Sequence, residues 1–157
     1  MDLELRRQLL ETWEIHARTV LYVLAGVGPA ALAPTTDLKG RSAGSQFAHI
    51  HNVRLMWLQA AAPDLLSGLE KFGKEQALDK ALLTAALERS RQAIGELLAR
   101  ALDSGRIKGF KPHPTAFLGY LIAHESFHQG DIGVRLTASG HPLDQKIAYG
   151  MWEWGTR

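Results

Sequence analysis

Cysteine is absent from this chain of 157 residues. Without thiols there is no disulfide bond and no thiolate-bound zinc, so a tightly bound metal ion would need histidine or carboxylate ligands. The absence of cysteine also fits a reducing compartment, and we expect a cytoplasmic protein. A chain of this length predicts a single domain, over 1–157, with a substantial hydrophobic core.

A large excess of charge of one sign is missing as well. The formal net charge is +2, and the lysine and arginine residues are spread along the chain rather than clustered. No continuous apolar run reaches the roughly 20 residues that span a bilayer, and the charged start MDLELRRQLLETW lacks the apolar segment of a signal peptide. We therefore expect no nucleic acid and no membrane as partner, and a small molecule as substrate.

Strand-like alternation is also lacking, whereas apolar residues recur at helical spacing in nearly every long segment. Glycine and proline clusters separate four predicted helices, which cover about 2–25, 42–62, 74–102 and 114–139. With one longer connection between the second and third helices, this pattern predicts an all-α four-helix bundle. Its predicted core residues include Trp13, Val20, Val53, Met56, Phe117, Leu121 and Ile132.

The segment 124–128 reads His-Glu-Ser-Phe-His, which matches the H-E-x-x-H pattern of zinc metalloproteases. Such a protease needs a third ligand downstream, and the metzincin continuation would place glycine and histidine where this chain has Asp131 and Val134. It also needs a strand to bind the substrate backbone, and no convincing strand is predicted. A protease is therefore rejected, and the histidine pair requires another explanation.

Three histidines are predicted to face the interior of the bundle. His124 and His128 lie about 40° apart on a helix that turns 100° per residue, and they share their sector with Leu121. On the second helix His49 lies on the predicted apolar face, whereas His51 is turned by about 200° and is predicted to be solvated or to join an interface. Three inward histidines suit a divalent metal ion and leave positions open for water or substrate. A hydrogen-bonded polar cluster, or histidines that water reaches at a bundle end, is the alternative.

Two carboxylates and the remaining histidines are candidates for other roles. Asp131 shares the inward sector, so it could accept the free ring N–H of a ligand histidine and determine its tautomer. Asp131 or Glu125 could act as a general base, although Glu125 is turned by about 100° from the preceding histidine and need not face the metal. His16 is either a fourth ligand or a partly buried, hydrogen-bonded residue, whereas His113 and His141 lie in loops as capping or exposed residues.

Three segments resemble elements of the DinB family of metal-binding four-helix bundles. They are QFAHI at 46–50, YLIAHESFHQGDI at 120–132 and AYGMWEW at 148–154, and their order extends the resemblance over nearly the whole chain. The resemblance implies an up-down-down-up bundle, often a homodimer.

The resemblance also implies a ligand set. His49, His124 and His128 match the family's three metal ligands, and the resemblance implies nickel or zinc as the ion, with manganese or iron as alternatives. Gln129 and Asp131 stand where the family pattern has arginine and glutamine.

The first functional hypothesis is metal-dependent transfer with a low-molecular-weight thiol as cosubstrate. It follows from the resemblance, because the grouping that the chain resembles includes thiol-dependent transferases and isomerases. An ion held by neutral imidazoles keeps its full charge and lowers the pKa of a bound thiol or water. Metal-assisted hydrolysis is the second hypothesis, and a non-enzymatic, stress-associated metal-binding or dimerisation module is the third. A charged cosubstrate would need cationic anchors, for which the candidates are Arg135, Arg106, Lys108 and Lys111.

Two apolar surfaces have open interpretations. The aromatic tail residues could cap the pocket or pack against the bundle; they are Tyr149, Trp152 and Trp154. Leu55 and Leu58 extend apolar surface toward the side of the second helix that carries His51, which predicts either self-association or contact with a neighbouring helix of the same chain.

Overall fold

Four long helices and one short helix make up most of the structure, a computed structural model that describes residues 2–34, 39–73 and 75–157. The helices are α1 (Leu3–Gly26), α2 (Ala43–Ala61), α3 (Lys80–Ser104), α4 (Pro114–Ala138) and α5 (Gln145–Gly150). α1 and α2 each pack against both α3 and α4, and no strand occurs within the described ranges. The predicted all-α four-helix bundle is confirmed.

Polar side chains begin the helices by accepting hydrogen bonds from first-turn amides that have no partner within the helix. Ser42 accepts from the backbone N–H of Ser45 at the start of α2. At the start of α4, Nδ1 of His113 accepts from the backbone N–H of Ala116 at 3.1 Å, and Pro114 follows in the first turn. The predicted capping role of His113 is confirmed.

The start of α3 differs from the prediction. The predicted first residue, Lys74, lies outside the described residues, and α3 begins at Lys80 after a short 3-10 helix at Gln76–Leu78. Asp79 lies between them, and its side chain accepts from the backbone N–H of Leu82. The α-helix starts after Asp79 because this side chain pairs the first-turn amide of Leu82, which has no partner within the helix.

The core of the bundle contains most of the residues predicted for it, but α2 presents a different face. Five predicted core residues are fully buried, namely Trp13, Val20, Phe117, Leu121 and Ile132. The two predicted from α2 are wrong, because Val53 is half-buried and Met56 is 45% exposed. α2 instead buries Phe47, Ile50 and Arg54. The apolar periodicity of α2 could not identify this face, because the face includes Arg54. Arginine is rarely buried unless its charge is paired, so it is not expected at a core position.

Leu55 and Leu58 lie inside the bundle, where they are 3% and 0% exposed. The intramolecular alternative for these two leucines is therefore confirmed, and they do not provide a surface for a second copy. Self-association stays a prediction that rests on the family resemblance alone. Within the described ranges, no helix combines the length and the apolar character that crossing a membrane requires.

Candidate metal centre

α2 and α4 bring the three predicted ligand histidines together. The ring centroid of His49 lies 4.5 Å from that of His128 and 5.4 Å from that of His124. One ligand nitrogen from each of the three rings lies within 4.8 Å of the other two. On α4, the Nε2 atoms of His124 and His128 are 3.1 Å apart. The three side chains, here called the histidine triad, form a group that could hold a metal ion.

The triad is uncharged near neutral pH. Burial lowers the pKa of His128 to about 4, and the neighbouring His124, His49 and Arg41 add to the shift. Burial also lowers the pKa values of His49 and His124, and the positive charge of Arg41 acts in the same direction on both. A neutral imidazole keeps a nitrogen lone pair free, which is the form that ligates a divalent ion. The donor set therefore fits a metal.

A hydrogen-bonded chain determines which nitrogen of His128 carries the proton. Gln46 is buried and donates through its Nε2 to Asp131. Because a carboxylate accepts hydrogen bonds and does not donate them, the amide oxygen of Gln46 faces the other way and accepts from His128 Nδ1 at 2.6 Å. Nε2 of His128 then carries the lone pair, and it is the nitrogen that faces His124. The chain ends at Arg135, which donates to Asp131 at 2.8 Å.

Asp131 therefore supports the triad at one remove. The sequence predicted that it would accept a ring N–H directly, and the structure places Gln46 between Asp131 and His128. Gln46 lies three positions before His49, one helical turn away on the same face of α2. That spacing could have indicated Gln46 as a residue near the site. Its hydrogen bond to His128, however, depends on how α2 packs against α4.

Glu125 is not beside the triad. Its carboxylate is 1% exposed and accepts from Arg54 at 2.8 and 2.7 Å and from His16 Nε2 at 3.0 Å. Burial acts to raise the pKa of Glu125, but the charge and hydrogen bonds of Arg54 outweigh it, and with His16 they lower the pKa to about 2. The candidate general base is thus part of a core ion pair, here called the Glu125 cluster. The hydrogen-bonded interpretation of His16 is confirmed.

His51 was predicted to be solvated or to join an interface, and this prediction is wrong. It does point away from the triad, but it is 1% exposed and its Nε2 lies 2.9 Å from the carbonyl oxygen of Glu70. Its ring also lies against Phe72, with the centroids 5.3 Å apart. The connection after α2 folds back over this side of the helix, and periodicity within α2 carries no information about that covering segment.

A cavity of about 290 Å³ opens beside His49, between α2 and the connection to α3. Arg41 lines it and is exposed, so a cation that the sequence analysis did not consider lies next to the triad. Asn52 and Phe72 also line it. Asn52 exchanges two hydrogen bonds with the backbone of Phe72, at 2.9 and 2.8 Å, and these hold the connection in place over the cavity.

The predicted cationic anchors lie elsewhere. Arg106 and Lys108 line a separate cavity of about 550 Å³ that α3 residues share with the end of α2. Lys111 is exposed, and the guanidinium of Arg135 is engaged by Asp131. None of them lines the cavity beside His49, where Arg41 is the cationic lining residue among those that the structure describes.

The aromatic tail does not cap the triad. Trp152 and Trp154 line another cavity together with His16 of α1 and Gln129 of α4. Gln129 is turned about 140° around α4 from His124, so this cavity lies on a different side of the helix from the triad. The tail side chains do not pack fully against the bundle either, because Tyr149 and Trp152 are each 72% exposed and Trp154 is 38% exposed.

The chain is similar over nearly its whole length to one known protein family. The model of the DinB family matches residues 1–153, which is nearly the whole chain. No curated protein and no solved structure matches the chain. The chain belongs to the DinB family.

Proposed function

We propose that this DinB-family chain holds one divalent metal ion on His49, His124 and His128 and uses it to transfer a low-molecular-weight thiol to or from a small molecule. The observation that carries the proposal is the convergence of three neutral imidazoles, from two helices, within 4.8 Å of one another. Three protein ligands leave coordination positions for a substrate, which is the arrangement of catalytic rather than structural sites.

The choice of thiol transfer over hydrolysis rests on the two carboxylates. When bound, a divalent ion supplies positive charge that is sufficient to deprotonate a thiol outright. Metal-dependent hydrolases commonly also have a carboxylate beside the metal-bound water, which acts as the general base. Here Asp131 is engaged by Gln46 and Arg135, and Glu125 by Arg54 and His16. Because neither carboxylate is free to act as a base at the triad, the site favours a nucleophile that needs no protein base.

The residues around the triad have separable tasks in this proposal. Gln46 keeps the proton of His128 on Nδ1, so Nε2 stays available as a ligand. Asn52 holds the connection at Phe72 over the cavity and limits the access of water. Arg41, at the cavity wall, offers its positive charge to an acidic group of the thiol or of its acceptor. A ligand set of imidazoles suits nickel or zinc, with manganese or iron as alternatives.

Metal content tests the first half of the proposal. Protein purified without a nickel column should bind close to one equivalent of zinc or nickel, measured by elemental analysis after dialysis. His49→Ala, His124→Ala and His128→Ala should each lose the ion, because two imidazoles hold it far more weakly than three. His141→Ala is the matched control, since His141 is exposed in a loop. Equal metal content in all four variants would contradict the triad.

Thiol binding tests the second half. Cobalt(II) can be substituted at the site, and addition of a small thiol should produce a sulfur-to-cobalt charge-transfer band that a matched alcohol does not produce. Arg41→Ala should weaken the response to a thiol that carries a carboxylate more than the response to an uncharged thiol. Tight metal binding without any thiol-dependent band would leave the triad in place and would favour hydrolysis or a non-enzymatic metal-binding module.

A further inference from the structure

The cavity lined by Trp152 and Trp154, of about 300 Å³, lies on the side of α4 away from the triad. Gly133 of α4 lines it and is turned about 180° around the helix from His124. The tail beyond α5 forms part of its wall, with Met151, Trp152 and Trp154. Its volume is at the lower end of the range for small-molecule sites, about 300–1,000 Å³. We call it the tail cavity.

Two glycines keep this side of α4 open. A Cβ atom added at Gly130 or at Gly133 would meet no heavy atom within 4 Å. Both residues line the tail cavity. Glycine inside a helix weakens it relative to alanine, and here no close packing of a neighbouring element requires glycine at either position. What the two glycines do provide is room along one wall of the tail cavity.

One buried polar atom in the wall lacks a partner. Gln129 is 7% exposed, and its Oε1 is buried without a hydrogen-bond donor among the described residues. Buried acceptors are nearly always paired, because an unpaired one keeps the full cost of its lost hydration. Gln129 lines the tail cavity, so a rotation of its terminal amide lets this unpaired acceptor pair with a donor of a molecule bound there.

The rest of the wall is uncharged. Among the residues that the structure describes, no aspartate, glutamate, lysine or arginine lines the tail cavity. The histidine in the wall, His16, is already engaged through Nε2 by Glu125 at 3.0 Å. Trp152, Trp154 and Met151 contribute aromatic and thioether surface to the wall, beside the aliphatic side chains of Leu143 and Ala148 and the hydroxyl groups of Thr19 and Ser126. Such a wall excludes ions and accepts flat, apolar molecules.

We propose that the tail cavity binds a small, uncharged, largely apolar molecule, about the size of a one- or two-ring aromatic compound, which donates one N–H or O–H hydrogen bond to Gln129 Oε1. The apolar body lies against Trp152, Trp154 and Met151. This site is separate from the histidine triad, and its occupation does not depend on a bound metal.

Indole is the probe, because it has two fused rings and one N–H donor, and 1-methylindole is its matched partner without the donor. Titration calorimetry of the full chain should show saturable binding of indole at one site. The affinity of 1-methylindole should be about five- to tenfold lower, which is the worth of one hydrogen bond. Gln129→Leu should abolish this preference. Absence of saturable binding up to the solubility limit of indole overturns the proposal, as does an unchanged preference in Gln129→Leu.

Filling the tail cavity provides the second arm. Gly133→Leu should lower the affinity for indole by more than about tenfold, because the new side chain occupies the space of the ligand. Gly119→Leu is the matched control, since Gly119 is also in α4, its added Cβ also meets nothing within 4 Å, and it does not line the tail cavity. Gly130→Leu repeats the test if Gly133→Leu does not fold. Equal affinity in the filled variant and the control overturns the proposal.

Discussion

His124 and Glu125 are neighbours in the chain, yet they belong to two polar clusters with opposite chemistry. The histidine triad joins three neutral rings, and its lone pairs face one another. The Glu125 cluster joins a carboxylate to a guanidinium and an imidazole, with both carboxylate oxygens paired and both residues of the ion pair 1% exposed. A ligand site needs nitrogens without partners, whereas a buried ion pair is stable only when its groups are paired. One turn of α4 serves both purposes because consecutive side chains of a helix point about 100° apart.

The two clusters also connect different parts of the bundle. The triad joins α2 to α4. In the Glu125 cluster, Arg54 of α2 binds Glu125 of α4, donates to the Leu87 carbonyl of α3 and lies over the ring of Trp13 in α1, 5.0 Å from its centroid. The Glu125 cluster should therefore govern the stability of the whole bundle, whereas the triad should govern metal affinity.

The largest effect on stability is expected from Arg54→Met. Without the guanidinium, the buried charge of Glu125 keeps only His16 as a partner, which costs about 3–5 kcal/mol in the free energy of unfolding. Urea denaturation of the metal-free protein measures this loss. The double variant Arg54→Met/Glu125→Leu should recover much of it, because the buried charge is removed as well. A single variant as stable as the wild type would show that the cluster does not hold the helices together.

A somewhat smaller effect is expected from filling the triad. Zinc at a free concentration of 100 times its Kd should raise the free energy of unfolding by about 2.7 kcal/mol by mass action. His124→Ala should abolish this increase and should leave the metal-free stability nearly unchanged, because the ring is only partly buried. Thermal denaturation with and without zinc measures both quantities. A zinc-dependent increase that persists in His124→Ala would contradict the separation of the two clusters.

Gln46→Leu should weaken metal binding without abolishing it. Losing a partner that orients a ligand histidine typically lowers metal affinity about 10–100-fold. Asp131→Asn should cause a smaller loss, since Asp131 acts on His128 through Gln46. Gln129→Leu is the matched control, because it replaces another buried glutamine that faces away from the triad. Competition titrations with a coloured chelator give the three affinities, and equal losses at 46 and 129 would argue against the orienting role.

The two clusters should respond to acid in different pH ranges. Burial lowers the pKa of His128 from 6.5 to about 4, so the unfolded chain binds the extra proton first, and stability falls as pH decreases from about 6.5 to 4. The pKa of Glu125 is lowered from 4.5 to about 2, so its contribution is present above pH 4.5 and is lost as pH falls toward 2. Each group changes the free energy of unfolding by at most about 1.4 kcal/mol per pH unit.

Urea denaturation of the metal-free protein at a series of pH values measures these slopes. His128→Gln should flatten the upper range and leave the lower range unchanged. The proposed assignment fails if the slope between pH 6.5 and 4 is the same in this variant as in the wild type.

The smallest effect is expected from His51→Ala. The substitution leaves the carbonyl oxygen of Glu70 without its side-chain partner and should cost about 1 kcal/mol in stability. Metal affinity should not change, because His51 points away from the triad. His49→Ala, only two residues away, should do the reverse by removing metal binding with little change in metal-free stability. Chelator titration and urea denaturation of the two variants together test whether the two faces of α2 are independent.

The sequence predicted the three histidines of the triad because helical geometry is local. The 40° between His124 and His128 follows from their spacing on one helix, whatever the neighbours are. The selection of His49 over His51 as the residue on the triad side was correct, although the core residues predicted around it, Val53 and Met56, were wrong. Helical periodicity therefore identified the three histidines that come together but not the face of α2 that enters the core.

The sequence by itself determined the helices, the caps and the angular relation between residues of one helix, since these depend on contacts within a few positions of the chain. Only the tertiary structure decided that Arg54 reaches Glu125, that Gln46 lies between His128 and Asp131, and that the connection after α2 covers His51. Each of these contacts depends on how one element is rotated and shifted against another. That rotation is set by the packing of the whole core, which no single periodic segment encodes.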